Sequence, residues 1–341
     1  MNVSRWLLLC GSLAMGARSL SGGLAADAGV LQAPVSSVTA ASAWSVVGAG
    51  WGRPAADDAS AYFLTAEHHV VAIDLASSRV RWRQRTGGSG ARPLGSRVLV
   101  AGSSVVAGDS ALVALARHDG HERWRFDPDD GGTVGPYLGV ASADTIYSGS
   151  SSGRLHAVVA ASGVRRWSAL PVGGGPGTTL YEPIVDGGQV FAGFTTFLPK
   201  KSGGVVAVDA NTGAPLWRTL FPSSRGRAEA WAGGLAVAGN LVIASSSSGQ
   251  IVGFDRSTGE TLWRVENIDG VASSGSGPPA ASSDSAPDFR PIVVSKSQFV
   301  AGSLLGTVVA YDLETRRQRW SAGGRWLGSV AMAMVTDSDV V

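Results

Sequence analysis

Carboxylates in unusual loop segments are the first candidates for chemistry in this sequence. Glu182, Glu229 and Asp288 lie in stretches rich in Gly, Pro and Ser, where side chains could converge on a ligand. A calcium site needs several such oxygens at once, and no spacing marks these three as ligands. Neither Gly-x-Ser-x-Gly nor His-Glu-x-x-His occurs, and no Lys-Ser or Lys-Thr follows the glycine-rich stretch 173–177. The sequence therefore predicts no catalytic residue and no metal ligand.

The histidines and the single cysteine show no metal-binding pattern either. His68 and His69 are adjacent on a predicted hairpin and point to opposite faces, while His118 and His121 flank a turn; all four are expected at the surface. Cys10 is the only cysteine. This excludes a disulfide framework, cysteine-based zinc sites, iron–sulfur clusters and c-type haem attachment.

Composition narrows the class of protein further. The 341 residues include 47 Gly, 44% are hydrophobic and only 16% are charged, so the chain can bury a large core and is not disordered as a whole. The net charge of +2 predicts no nucleic-acid partner, because such proteins concentrate a basic excess. Of the basic residues 25 are Arg and three are Lys; they are scattered, which we interpret as compositional bias.

Residues 1–28 have the layout of a secretory signal peptide. Arg5 precedes a short apolar stretch, 6–15, and Ala26-Asp27-Ala28 offers small residues for cleavage. Cys10 lies inside the apolar stretch, without a small residue just before it, so lipidation of Cys10 is not expected. The alternatives are a buried N-terminal helix or an organelle transit peptide. We predict export to a periplasmic or extracellular space, a linker over 29–43, and no transmembrane segment.

A tryptophan repeat is the clearest pattern in the chain. Seven tryptophans are separated by 38 to 57 residues: Trp44, Trp82, Trp124, Trp167, Trp217, Trp263 and Trp320. A recurring phrase stands before each of the last six. It consists of an apolar run, then Asp, a Thr-Gly turn and Trp, and its clearest copies are 205–217 and 251–263. The apolar run predicts a strand, and Asp with Thr-Gly is typical of a tight turn. Each phrase is therefore predicted to be a β-hairpin.

Further β-rich runs precede each phrase, which gives about four strands per repeat. Four strands in 40–50 residues are typical of a β-propeller blade. No amphipathic helical segment separates the strands, so a parallel βαβ fold is excluded. The fold class predicted is all-β, a propeller of about seven four-stranded blades over 44–341.

The repeated phrase resembles the pyrroloquinoline-quinone (PQQ) type propeller repeat, and the resemblance covers residues 44–341. It implies that the tryptophans dock one blade against the next, which is a structural role. Trp44 lacks a hairpin phrase, while 330–335 and 339–341 have the pattern of two strands, so the closing blade is predicted to be shared between the termini. That blade lacks its third strand in this prediction, so we expect either a three-stranded blade or a chain that ends about ten residues early. An eighth blade within 265–300 is a separate alternative, but that segment lacks a tryptophan of the repeat.

Unusual loops on one face mark the candidate binding surface. The joins between blades and the loops between second and third strands share a face, and loops on a rigid scaffold commonly carry function. The candidate residues on this face are Tyr181, Glu182, Lys200, Lys201, Arg225, Arg227, Glu229, Trp231, Asp288 and Arg290. The opposing interpretation is that 269–287 is a tolerated insertion and that the lysines are solvated loop charges.

Two functions follow from the resemblance. Quinoprotein dehydrogenases of this superfamily hold PQQ and calcium, commonly with eight blades and an adjacent cysteine pair, and this chain has no such pair. The lipoprotein subunit of the outer-membrane β-barrel assembly machinery uses the same repeat without a cofactor. We predict an exported, non-catalytic platform that binds a protein or small-molecule ligand and needs no cofactor. The alternative is a PQQ- and calcium-dependent, alcohol-type oxidoreductase.

Overall fold

The structure is a computed structural model, and it describes residues 54–322 apart from 89–96, 135–137, 143, 174–176, 199, 224–228, 230, 247–249, 266–291, 296 and 303–307. In this part of the chain every regular element is a β-strand, and the strands form six antiparallel sheets. The all-β propeller prediction is confirmed. Trp44 and residues 330–341, the predicted closing blade, lie outside the described residues, so the seventh blade stays a prediction.

Each sheet is one blade, with its strands in chain order from an inner to an outer strand. Blade 1 contains Ala55–Ala56, Ser60–Leu64, His69–Asp74 and Val80–Arg85. Blade 2 contains Val98–Ala101, Ser104–Gly108, Leu112–Ala116 and Glu122–Phe126. Blade 3 contains Leu138–Ser142, Thr145–Gly149, Leu155–Val159 and Arg165–Ala169.

The remaining blades follow the same order. Blade 4 has a divided inner strand, Thr178–Leu180 and Ile184–Asp186, then Gln189–Thr196, Ser202–Asp209 and Pro215–Leu220. Blade 5 contains Trp231–Ala238, Leu241–Ser246, Ile251–Asp255 and Thr261–Val265. Blade 6 contains Ile292–Val294, Gln298–Gly302, Val308–Asp312 and Gln318–Ala322.

The aspartate of the repeat closes the turn between the third and outer strands. In blade 4, Asp209 Oδ1 accepts hydrogen bonds from the backbone N–H groups of Asn211 and Thr212, at 3.0 and 2.8 Å, and from the Thr212 hydroxyl. These bonds favour the ionised carboxylate and lower the pKa of Asp209. Asp255 is held in the same way, and the pKa of Asp255 falls to about 2. These carboxylates are occupied in turns.

The tryptophans of the outer strands bridge neighbouring blades by one recurrent geometry. The indole N–H donates to a backbone carbonyl in the next blade, always seven residues before the next tryptophan of the repeat. The four bonds are Trp82 to Arg117 at 2.9 Å, Trp124 to Ala160 at 2.9 Å, Trp167 to Ala210 at 3.0 Å and Trp217 to Arg256 at 2.8 Å. A glycine of the next blade lies under each ring: Gly120, Gly163, Gly213 and Gly259. Each such glycine has a positive φ.

The hydrophobic core lies between the sheets. Each group of buried side chains draws on two successive blades; between blades 4 and 5, Phe191 and Val205 meet Val242 and Phe254. Aromatic and β-branched side chains fill this space because the sheets of successive described blades pack face to face. The core is therefore a series of inter-blade layers, and the stability of the described blades depends on each junction between them.

Several arginines make structural contacts that recur from blade to blade. The arginine just before the tryptophan reaches back to the start of its own second strand: Arg81 donates to Ser60 Oγ at 2.8 Å and Arg123 to Ser104 Oγ at 3.0 Å. Arg117 pairs with Asp57 of the preceding blade at 2.7 Å, and Arg256 makes the equivalent pair with Asp186. Guanidinium groups suit this work because their fork of donors can bridge two elements.

Candidate functional site

The hairpin of the second and third strands of blade 4 extends beyond the outer strand of its sheet, while the inner strand Thr178–Leu180 accompanies it as far as Thr196. Both strands have eight residues, Gln189–Thr196 and Ser202–Asp209, and they stay paired from Gln189–Asp209 to Thr196–Ser202. The outer strand ends earlier, because Leu220 pairs with Gly204. A rigid ladder therefore carries the connecting loop outward.

The tip of this hairpin exposes apolar and basic side chains together. Phe197 is 46% exposed and Leu198 is 60% exposed, and Lys200 and Lys201 follow them, also exposed. The backbone N–H of Phe197 donates to the Gly177 carbonyl at 2.9 Å, so the join that leads into blade 4 supports the tip. A fixed backbone thus presents two large apolar side chains to solvent.

The outer strand of blade 4 also carries exposed apolar side chains. Leu216 and Leu220 are 48% and 49% exposed, and alternation along the strand places them on the same face as Arg218. Arg218 Nη1 donates to the Val172 carbonyl at 2.7 Å, so this face is directed toward the join from blade 3. Leu220 pairs with Gly204 and lies toward the hairpin tip, whereas Leu216 lies near the turn at the other end of the strand. We call the tip residues Phe197, Leu198, Lys200 and Lys201 the blade-4 surface.

Exposed apolar side chains are concentrated around blade 4. Eight large hydrophobic residues are exposed in the described part of the chain, and five of them belong to blade 4 or the join before it: Leu170, Phe197, Leu198, Leu216 and Leu220. Single exposed apolar residues are ordinary, but a concentration marks a site of interaction. Sequence reasoning identified Lys200 and Lys201 but missed the apolar residues, because a strand-like apolar run is commonly buried. The run 194–201, in which Phe and Leu are followed by Pro-Lys-Lys, was the available signal.

The other sequence-predicted candidates have different environments. Tyr181 and Glu229 are buried, which removes them from the surface open to a macromolecular partner. Burial raises the pKa of the Tyr181 phenol, and the Glu229 carboxylate accepts a hydrogen bond from the Ser246 hydroxyl at 3.1 Å. Glu182 is half-buried where the inner strand of blade 4 is interrupted. Trp231 is the first residue of the inner strand of blade 5.

Four of the candidates cannot be placed. Arg225, Arg227, Asp288 and Arg290 lie outside the described residues. The structure therefore brings Lys200 and Lys201 together with newly recognised apolar residues, and it does not join them with the acidic candidates into one described site.

Two histidines, His68 and His156, are buried. The expectation that His68 lies at the surface is therefore wrong, and the sequence did not single out His156. His68 Nδ1 lies 2.9 Å from both oxygens of the Asp109 carboxylate in blade 2, and His68 has a φ of 60°. The Thr86 hydroxyl also contacts this carboxylate, at 2.5 Å. His68 and Asp109 each lie in the loop between the second and third strands of their blade. Their buried contact therefore fixes the loop of blade 1 to the loop of blade 2.

His156 is the second buried histidine and lies between blades 2 and 3. Its ring is fully buried and packs edge-on against Phe126, with 5.5 Å between ring centroids. Its Nε2 lies 3.6 Å from the Asp130 carboxylate, beyond hydrogen-bond distance, and neither ring nitrogen has a hydrogen-bond partner in the described part. Burial lowers the pKa of His156 to about 4, although the Asp130 charge opposes this shift.

Metal-ligating side chains are scattered in the described part of the chain. No group of three or more His, Cys, Asp or Glu side chains there could hold a metal ion. The turn aspartates are committed to backbone N–H groups, and Glu229 is engaged by Ser246. We derive no catalytic step through such a group. Among the same residues, no helix is long and apolar enough to cross a membrane.

Comparison with known proteins places this propeller in a family. The family model described as outer membrane protein assembly factor BamB matches residues 27–196 and 201–341. A curated protein of that name from Vibrio cholerae is 30% identical over 118 residues, which cover 33% of this chain and 30% of that protein. The match thus spans less than a third of the length of that relative.

Solved structures show the same fold. BamB from Moraxella catarrhalis superposes with a TM-score of 0.62 at 20% identity, covering 86% of this chain and 82% of that chain. The quinohemoprotein alcohol dehydrogenase from Comamonas testosteroni superposes with a TM-score of 0.56 at 14% identity, covering 86% of this chain and 70% of that chain. Both likenesses concern the propeller fold. Because the family model matches most of the chain, the protein belongs to the family of the outer membrane protein assembly factor BamB.

Proposed function

We propose that this protein is an exported, non-catalytic propeller that binds a protein partner through the blade-4 surface and acts in the assembly of outer membrane proteins. The observation that carries the proposal is the tip of the blade-4 hairpin, where Phe197 and Leu198 are exposed beside Lys200 and Lys201. Family membership supports the assembly role, and the signal-like residues 1–28 support export.

The chemistry of the surface favours a protein partner with apolar and acidic groups. Burying a Phe or Leu side chain supplies about 1.5–3 kcal/mol, so the tip can provide a small central contact of the kind that dominates interfaces. Lys200 and Lys201 follow it with positive charge, which attracts carboxylates and steers association. The rigid ladder beneath the tip lowers the entropy cost of binding.

The oxidoreductase alternative has less support. The likeness to a quinohemoprotein dehydrogenase shows the fold alone, because only 14% of the residues are identical, and a shared propeller does not transfer chemistry. The described residues also offer no cluster of metal-ligating side chains. The absence of a cofactor stays a prediction, as does a small-molecule ligand in place of a protein.

Replacing both apolar tip residues should abolish function without unfolding the protein. The double variant Phe197→Asp/Leu198→Asp removes the apolar contact and places acid beside Lys200, so we expect partner affinity to fall at least about 100-fold. The measurement is the amount of β-barrel proteins in the outer membrane of the source organism after the chromosomal gene is replaced by the variant. The native gene should support normal amounts and the double variant should behave like a deletion.

A matched control separates binding from general surface effects. Val164→Asp changes an equally exposed apolar residue, 61% exposed, in a turn of blade 3 outside the blade-4 surface, and it should leave outer-membrane protein amounts unchanged. Both variants should show native thermal unfolding. Normal amounts of outer membrane proteins with the folded double variant would refute the assignment of the blade-4 surface.

A further inference from the structure

The junction between blades 5 and 6 lacks the contacts that the other described junctions share. The next blade supplies Arg316 where the four regular junctions have glycine, and Arg316 has a φ of 59°. The indole N–H of Trp263 is buried without a hydrogen-bond partner in the described part of the chain, whereas the N–H of Trp217 donates to the Arg256 carbonyl at 2.8 Å. The glycine beneath the ring and the indole hydrogen bond are therefore both missing at the junction of blades 5 and 6.

The indole of Trp263 has a different position from the other tryptophans. Its partner on the third strand is Gly253, where the other described blades have Ala. A Cβ at Gly253 would collide with the Trp263 ring, so the ring lies over its own sheet in space that alanine would fill. From there it stacks on Phe299 of blade 6, with 5.6 Å between centroids and an interplanar angle of 21°.

The substitute contacts at this junction are weaker and less directional. The Arg316 guanidinium lies 5.8 Å from the centre of the Trp263 ring, a separation near the limit of cation–π attraction. A non-glycine residue with positive φ adds backbone strain, and an unpaired buried N–H carries the cost of lost hydration. Stacking on Phe299 is apolar and permits sliding, unlike a hydrogen bond to a fixed carbonyl.

From these contacts we infer that the blade 5–6 junction is a seam at which the propeller opens before its other described junctions. Opening separates Trp263 from Phe299 while blades 1 to 5 keep the tryptophan hydrogen bonds that join them. The seam depends on two residues, Gly253 and Arg316. Placing the same residue types at the corresponding positions of another junction should create a seam there. It is independent of the proposed protein-binding role of the blade-4 surface.

Hydrogen exchange followed by mass spectrometry tests the seam, because protection of each amide reports the local opening equilibrium. In the wild type, amides of Thr261–Val265 and Gln318–Ala322 should exchange at least about tenfold faster than those of the equivalent strands in blades 3 and 4. The repair variant Gly253→Ala/Arg316→Gly pushes the indole toward blade 6 and restores the glycine beneath it. We expect it to slow exchange on both sides of the junction.

The reciprocal variant is Ala207→Gly/Gly259→Arg, which gives the blade 4–5 junction the residues of the seam. Exchange should then accelerate in Pro215–Leu220. If this variant fails to fold, the single substitutions Trp217→Phe and Trp263→Phe give the same comparison. Trp217→Phe should accelerate exchange at the blade 4–5 junction, because it removes a hydrogen bond. Trp263→Phe should leave exchange at the blade 5–6 junction nearly unchanged, because it removes none. Uniform protection across the wild-type junctions, or faster exchange in the repair variant, would overturn the inference.

Discussion

Replacing Gly213 by alanine is expected to lower the free energy of unfolding by about 3 kcal/mol. Gly213 has a φ of 74°, and an added Cβ would lie 2.7 Å from Cε3 of Trp167. The substitution therefore combines left-handed backbone strain with overpacking of the blade 3–4 junction. Both effects act in the folded state, because the unfolded chain has neither the ring contact nor the fixed φ. Urea unfolding followed by tryptophan fluorescence measures the change.

Gly188 supplies the matched control in the same blade. It has a φ of 78°, and nothing lies within 4 Å of the position of an added Cβ. Gly188→Ala should therefore cost only the backbone strain, about 1 kcal/mol. Equal losses in the two variants would show that the tryptophan ring does not depend on the glycine beneath it, contrary to the docking geometry described above.

Acid should destabilise the protein through His156. Burial lowers the pKa of His156 from 6.5 to about 4 in the folded state, so the folded protein binds fewer protons than the unfolded chain between these values. The contribution of the neutral ring to stability is thus complete above about pH 6.5 and is lost as the pH falls toward 4. A shift of this size corresponds to about 3 kcal/mol.

The variant His156→Phe isolates this effect. Phenylalanine keeps an aromatic ring against Phe126 and has no proton to bind, while Asp130 retains the Ser152 hydroxyl at 2.9 Å. The free energy of unfolding, measured by urea from pH 7 to pH 4.5, should fall less steeply in the variant than in the wild type. His121→Gln, at a side chain that is 85% exposed, is the control for replacing a histidine at the surface. Parallel curves for His156→Phe and the wild type would contradict the assignment.

The repeat made most of the fold predictable from sequence. The phrase that ends in Trp217 contains its own strand, turn and strand signals within thirteen residues, so the hairpin depends on local chemistry alone. The placement of Asp209 in the turn follows from side-chain bonds to residues two and three positions on. Local patterns of this kind survive in any tertiary context, and their spacing then sets the number of blades that the sequence predicts.

The candidate site was less predictable because exposure depends on neighbouring elements. Phe197 and Leu198 directly follow a mostly buried strand, and only the structure shows that both side chains are exposed at the hairpin tip. The burial of His68 could not be predicted because its carboxylate partner, Asp109, is 41 residues away in another blade. Lys200 and Lys201 were identified because charges interrupting a strand pattern are visible in the sequence itself.

Photocrosslinking from position 198 in intact cells tests the central claim most directly. A benzophenone amino acid in place of Leu198, which is 60% exposed at the hairpin tip, should form a discrete adduct with one protein of the outer-membrane assembly apparatus. The same probe at Val164 should not form it, and Phe197→Asp should abolish the adduct from position 198. The absence of a protein adduct at position 198, or an identical adduct from position 164, would contradict the blade-4 surface as the docking site.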